Sequence, residues 1–403
     1  MVQPVQINAF ASFTLAIVLL FIGKGLAQRF AWLRRYCIPE PVVGGVICAA
    51  VVCLLYYLLD ITVHFALGAR DMLLLYFFAA IGLNSSIRTL TRGGRAMVVL
   101  LMLATGFMIL QNVLGMIMAT AFAMDGRLGL MVGSISLTGG VGTTLAWTPR
   151  FVELGIAAAQ EVGLAANMIG LIAACVIGGP IARFLMRRHH IQPSGDDTLQ
   201  IGTPHATERY KHLDYDGVLL ALLWLNVTLM VGAGVSAVIT QSGLRLPAFV
   251  GCLLAGIVLR AVGDALPMRT GRLWNWSVMQ PGVALISDIS LGMFLTMALM
   301  GMQFWVLQPF LGFIGLSMAI QILFAIVFTL LVVFRCMGRN YEAVVICAGF
   351  GGIGLGSTAT AVANMSAVTR EYGNAPHAFL IVPLVCGFFI DLVNALVIGV
   401  MVG

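Results

Sequence analysis

Long apolar runs alternate with short polar loops from one end of the chain to the other. A helix of about 20 residues, at about 1.5 Å per residue, matches the roughly 30 Å hydrocarbon core of a bilayer. The pattern predicts spanning helices at 8–23, 40–59, 71–87, 96–122, 160–183, 217–240, 247–263, 285–307, 310–334 and 376–401. One long polar stretch interrupts them, from Arg187 to Asp216, with Pro193, Gly195, Asp196, Asp197 and Pro204. The chain is therefore read as an N-terminal five-helix half (1–186), a linker (187–216) and a C-terminal five-helix half (217–403).

Two apolar stretches, 130–147 and 344–365, hold too many glycines for a comfortable continuous helix. Each lies between the fourth and fifth span of its half, and both are expected to enter the membrane and return to the same side. With ten spans and a cytoplasmic linker, both termini then lie outside. Arg70, Arg127, Arg150 and Arg245 are the external basic residues, and the rest of the 22 Lys and Arg are cytoplasmic, as the positive-inside rule requires. A full crossing by either stretch would spoil that bias. Five spans per half also puts the halves in opposite orientation. Gly139-Gly140-Val141-Gly142 recurs as Gly351-Gly352-Ile353-Gly354, and Ile38-Pro39 as Leu246-Pro247. Inverted repeats of this kind build secondary transporters around a midplane site.

Composition sharpens this reading. The chain is 60% hydrophobic and 9% charged, against about 25% charged in soluble domains. That excludes a small soluble enzyme, a nucleic-acid-binding domain and a disulfide scaffold. The net charge of +6 belongs to topology-setting loops and not to a nucleic-acid surface. The first apolar run has no basic segment before it and reads as a spanning helix, not a signal peptide. The eight cysteines show no metal spacing, and His189-His190 have no thiols near them in sequence.

Three groups of residues carry candidate chemistry. The first is the two glycine-rich tips: Ser134, Ser136, Thr138, Gly139, Gly140, Gly142, Thr143 and Thr144 in one, Gly352, Gly354, Gly356, Ser357, Thr358 and Thr360 in the other. Irregular backbone at membrane depth offers carbonyls and hydroxyls to a hard cation such as sodium, and helix N-termini to a carboxylate. The alternative is that the glycines only allow close helix packing. The spacing of Gly349, Gly351 and Gly354 mimics a dinucleotide fingerprint, but the membrane flanks exclude the strand-helix-strand unit that motif needs. The second group is intramembrane acids. Asp391, one helical step from Asn394, can supply oxygen ligands to sodium, and Glu161 near Asn167 is a further candidate. A structural hydrogen bond to another span is the alternative for each. Asp288 and Glu40 are expected near span ends, where helix capping or a turn explains them about as well as a functional role. The third group is cations for an anionic substrate: Arg370 and His377 by the last span, and Arg150 after the first tip. Topology anchoring explains them equally. No H-E-x-x-H or G-x-S-x-G motif is present, so no enzyme is expected.

The sequence resembles the glutamate:sodium symporter family of bacterial inner-membrane carriers. The matching strings are Ile38 to Gly45, Phe77 to Asn84, Gly133 to Gly140 and Gly178-Gly179-Pro180 in the first half, then Gly354-Leu355-Gly356, Ala361 to Met365 and Phe388 to Ala395 in the second. The resemblance covers essentially the whole chain in order. It implies an all-α carrier of two inverted five-helix repeats with re-entrant tips, an elevator movement, homodimers, and no organic cofactor. It also implies that the tip glycines and hydroxyls, with Asn364, Asp391 and Asn394, hold glutamate and co-transported sodium. Val141, Thr144, Phe350, Gly351 and Ala359 depart from the family pattern beside the tips. Another dicarboxylate or anionic amino acid, with sodium or proton coupling, is therefore the alternative cargo.

Overall fold

The computed structural model describes residues 3–30, 33, 39–85, 94–191, 214–241, 246–265, 274–356 and 358–402. In chain order they form β1 (Gln3–Ile7), α1 (Ala9–Arg29), α2 (Glu40–Leu59), β2 (Ile61–Phe65), α3 (Gly68–Asn84), α4 (Gly94–Ala121) and the single turn α5 (Leu128–Met131). There follow α6 (Gly140–Glu153), α7 (Ala159–His189), α8 (Tyr215–Gln241), α9 (Ala248–Ala265) and α10 (Trp276–Met300). A 3-10 segment, Phe304–Phe310, leads into α11 (Leu311–Phe328), which continues through a π-helical turn to Cys336. The chain closes with α12 (Tyr341–Leu355), α13 (Thr358–Tyr372), α14 (Pro376–Leu384), a π-helical segment (Val385–Phe389) and α15 (Ile390–Val402).

Among the described residues, eight helices are long and apolar enough to cross a membrane, and nine if the bent α14–α15 pair is one span. The tenth predicted span is α3, whose 17 residues sit at the lower limit of about 17 for a crossing. The protein is thus a multi-pass, helical membrane protein. One departure from helix is small: β1 pairs in parallel with β2, Gln3 opposite Ile61 through Ile7 opposite Phe65.

Two expectations need correction. The span placed at 285–307 begins earlier and ends at Met300. Its Pro281 lies in the second turn, where a missing N–H costs a single backbone bond and does not stop the helix. Asp288 consequently sits near the middle of α10 and not at a span end. The last span is not one regular helix, because its axis bends by 43° between Pro376–Gly387 and Ile390–Val402. A π-helical segment there widens the turn and breaks the regular hydrogen-bond ladder.

The helices gather into two compact units that cut across the sequence halves. The first takes α2, α3, most of α1, and α8 to α10. Its helices pack through glycine: a Cβ on Gly44 would lie 2.1 Å from the Leu19 carbonyl oxygen, and one on Gly82 2.3 Å from that of Leu253. Such close approach is how apolar helices associate without a hydrophobic driving force. Phe78 and Phe249 meet with ring centroids 4.2 Å apart, and Ala79, Ala80, Leu83, Leu225, Met279 and Val283 form a buried core in the same unit.

The second unit takes α4 to α7 and α11 to α15. Both glycine-rich stretches belong to it. The arms α6, α12 and α13 have 14, 15 and 15 residues, roughly 21–23 Å at 1.5 Å per residue, short of the roughly 30 Å needed to cross.

Candidate functional site

The first tip is an irregular coil between α5 and α6. Backbone bonds run from Gly139 N to the Ser134 oxygen (2.9 Å) and from Gly140 N to the Ser136 oxygen (3.1 Å). Gly140 turns the chain with φ +73°, a conformation open to glycine without strain. The fold-back brings the Thr144 hydroxyl 3.0 Å from that of Ser136.

Three amides from neighbouring spans fix this tip. Asn394 on α15 donates to the Ser134 carbonyl at 3.0 Å and accepts the Ser134 hydroxyl at 2.6 Å. Asn112 on α4 accepts from Ser134 N at 2.7 Å. Asn167 on α7 donates to the Ser136 carbonyl at 2.7 Å. Ser134, Ser136, Asn112 and Asn394 are wholly buried, so each of these bonds satisfies a group that water cannot reach.

The second tip closes by packing. α13 folds back on α12 at Gly356, and a Cβ on Gly352 would lie 2.4 Å from the Ala361 nitrogen. Gly170 of α7 faces the Leu355 carbonyl oxygen at 2.5 Å on the same measure, and Gly354 faces the Phe107 ring at 2.6 Å.

One side chain joins the tips. Gln111 on α4 donates to the Gly354 carbonyl at 2.9 Å, while its own carbonyl accepts the Thr138 hydroxyl at 3.0 Å. Gln321 on α11 donates to the Gln111 backbone oxygen at 2.9 Å. Gln111 and Gln321 occupy the same register in their spans, each the eighteenth residue counted from Gly94 and from Phe304. Both are wholly buried. Gly140 also approaches the second tip, its Cβ position lying 3.9 Å from the Gly356 oxygen.

The expected residues therefore separate. Thr138, Gly139, Gly140, Gly354, Gly356 and Asn394 converge, with a Gly139 Cβ position 2.8 Å from the Asn394 amide nitrogen. Gly142 is half-buried beside them, and the buried Thr143 hydroxyl has no hydrogen-bond partner among the described residues. Thr360 is buried and Thr358 half-buried after the second tip. Asp391 is half-buried in the first turn of α15, directly after the bend and one turn before Asn394. Asn364 lies back from the tip, donating to Ala174 O at 2.8 Å and Ala348 O at 3.3 Å. There it ties α13 to α7 and α12, in space left by Gly178. Glu161 stands in the first turn of α7, roughly 9 Å along the helix from Asn167. Ser357 and the Arg370 side chain lie outside the described residues. Gln111, Asn112 and Gln321 were missed by sequence reasoning. Their signal was available, since amides in the middle of apolar spans face protein and not lipid.

The model of the sodium/glutamate symporter family matches residues 5–374. The sodium/glutamate symporter of Escherichia coli (strain K12) is 36% identical over 396 residues, covering 98% of this chain and 97% of that protein. That of Shigella flexneri matches to the same extent, and that of Haemophilus influenzae is 34% identical over 399 residues, 98% of this chain and 96% of its own. Among solved structures, the sodium proton antiporter MjNhaP1 from Methanocaldococcus jannaschii aligns over 96% of both chains at TM-score 0.44 and 14% identity, a likeness that carries no argument. On the family match and the identity across nearly its full length, the chain belongs to the sodium/glutamate symporter family.

Proposed function

We propose that this chain is a secondary carrier that couples sodium entry to glutamate uptake across a bacterial inner membrane. Family membership supports the cargo. The observation that carries the mechanism is the meeting of both glycine-rich tips at Gln111 within one compact unit. Sodium binds oxygen atoms of the tips, with Asp391 and the Asn394 carbonyl beside them, so that the carboxylate is neutralised before substrate arrives. Glutamate then docks at the hydroxyls of Thr143, Thr358 and Thr360 and at the helix N-termini that follow the turns. Glutamate is a net anion, and each charge moved against the potential costs about 2.3 kcal/mol per 100 mV. At least two sodium ions per substrate make the step electrically favourable.

In this reading the unit holding the tips is the moving body of an elevator and the six-helix unit its scaffold. The halves are inverted repeats, the functional form is a homodimer, and both termini lie outside. The test is uptake of radiolabelled L-glutamate into proteoliposomes with and without an inward sodium gradient. Saturable uptake that requires sodium is expected. Uptake driven by a proton gradient alone, or absent for glutamate but present for another dicarboxylate, overturns the reading in its coupling or its cargo. Asp391→Asn is expected to raise the sodium concentration needed for half-maximal uptake at least tenfold while leaving the thermal midpoint nearly unchanged. An unaltered sodium dependence removes Asp391 from the sodium site.

A further inference from the structure

A basic cluster lies in the same unit, at the end of α7 farther from the residues that touch the tips. α7 ends with Arg187, Arg188 and His189 in its last turn, and α11 ends near Arg335, with Arg339 in the following loop. Both are ends of apolar spans, so these cations stand at the level of the lipid headgroups. Between the two helix ends opens a cavity of about 380 Å³ lined by Phe184, Arg188, His189, Phe334, Arg335 and Arg339, with Leu330 and Leu331. A second cavity, of about 620 Å³, adjoins it across Phe184 and Arg188 and is lined by Arg183 and Arg187.

The charges here are not matched among the described residues. Among the described residues, Arg187, Arg188, Arg335 and Arg339 make no ion pair, and Arg183 meets Glu371 only at 3.7 Å between exposed side chains. The nearby acid Glu342 is committed elsewhere, accepting from the Ala378 nitrogen at 2.8 Å. The cavity is also mostly apolar. Phe184 and Leu331 are exposed, and the His189 ring rests 4.8 Å from that of Phe334. Positive charge above and hydrocarbon below is complementary to one class of molecule, an amphiphile with an anionic head. A free anion would use the arginines and leave the apolar wall uncovered. A zwitterionic lipid would bring a cation into the arginine cluster.

We propose that the cavity between the ends of α7 and α11 binds the phosphate headgroup of an anionic phospholipid, with its acyl chains lying along Phe184, Leu330 and Leu331. Arg188, Arg335 and Arg339 hold the phosphate oxygens, two from one wall and one from the other. Because both walls belong to the unit that carries the tips, the lipid would bind that body and travel with it. The inference stands on this cavity alone and does not depend on the identity of the cargo.

The test compares the full-length protein with the variant Arg188→Gln/Arg335→Gln/Arg339→Gln. Each is extracted from bilayers of mixed phosphatidylglycerol and phosphatidylcholine, and retained lipids are counted by native mass spectrometry. The wild type is expected to retain at least one phosphatidylglycerol that the variant loses, with phosphatidylcholine unchanged. Removing the same charge elsewhere, by Lys24→Gln/Arg95→Gln/Arg127→Gln, is expected to leave that molecule in place. Water-soluble glycerol phosphate is expected not to displace it. Equal retention by the wild type and the first variant overturns the proposal, as does equal loss from the control. Displacement by glycerol phosphate would mean a site for free anions and also overturns it. Should the triple variant fail to fold, Arg335→Gln, whose side chain is exposed, is read in the same assay against the same outcomes.

Discussion

The two tips carry almost the same four residues, Gly-Gly-Val-Gly and Gly-Gly-Ile-Gly, and are held by different means. The first is an irregular coil pinned by side-chain amides from α4, α7 and α15. The second joins two regular helices of 15 residues, and its own glycines bring backbone against backbone. A recurring motif therefore does not fix a recurring structure. In one tip glycine permits a turn, and in the other it permits contact. Hydrogen bonds to side chains can be broken and remade as a ligand arrives, whereas backbone packing at van der Waals distance cannot yield gradually. The first tip is on these grounds the more adaptable of the two.

Substitution can break that comparison. The largest effect is expected from Gly352→Ala, because the new methyl would meet the Ala361 backbone at 2.4 Å and neither partner can rotate away. Overpacking of this kind costs about 3 kcal/mol, to be read as a lowered thermal midpoint together with lost uptake. A midpoint equal to the wild type would mean that α12 and α13 do not touch there. Next comes Asn394→Ala, which strips the Ser134 carbonyl and hydroxyl of a partner inside the protein. A loss of about 2 kcal/mol is expected for buried groups left unpaired, with substrate affinity falling more than stability. Stability falling with unchanged affinity would make Asn394 a purely structural tie. The smallest effect is expected from Gly140→Ala. A Cβ there would make only ordinary van der Waals contact, the nearest atom lying at 3.8 Å, and only the positive φ resists the change, by about 1 kcal/mol. If Gly140→Ala proved worse than Gly352→Ala, the roles assigned to the two tips would be reversed.

Hydropathy made the spans legible, since length and apolar run are local properties. Helix ends were less so, as α10 shows, because a proline near a start is tolerated and does not mark it. The bend before Asp391 is signalled only by Pro383 and Gly387 in a run that is otherwise as apolar as its surroundings. The tips themselves stood out through their glycines. What holds them did not, because Gln111 and Gln321 are separated by 210 positions and their meeting is a fact of tertiary packing. The compact units were equally hidden. Repeats are read along the chain, whereas each unit draws helices from both halves.

That interleaving sets an order of assembly. The chain passes from one unit to the other five times. When the ribosome has finished α7, it has delivered α1 to α3 of one body and α4 to α7 of the other, and neither body is whole. Gln111 must wait for the Gly354 carbonyl, and the first tip for Asn394, until the last helices enter the bilayer. In the interim the Gln111 amide nitrogen and the Ser134 hydroxyl lack the partners they have in the finished protein. An interrupted or truncated chain of this design therefore leaves two incomplete bodies rather than one working half, and membrane quality control meets exposed polar groups in place of a folded domain.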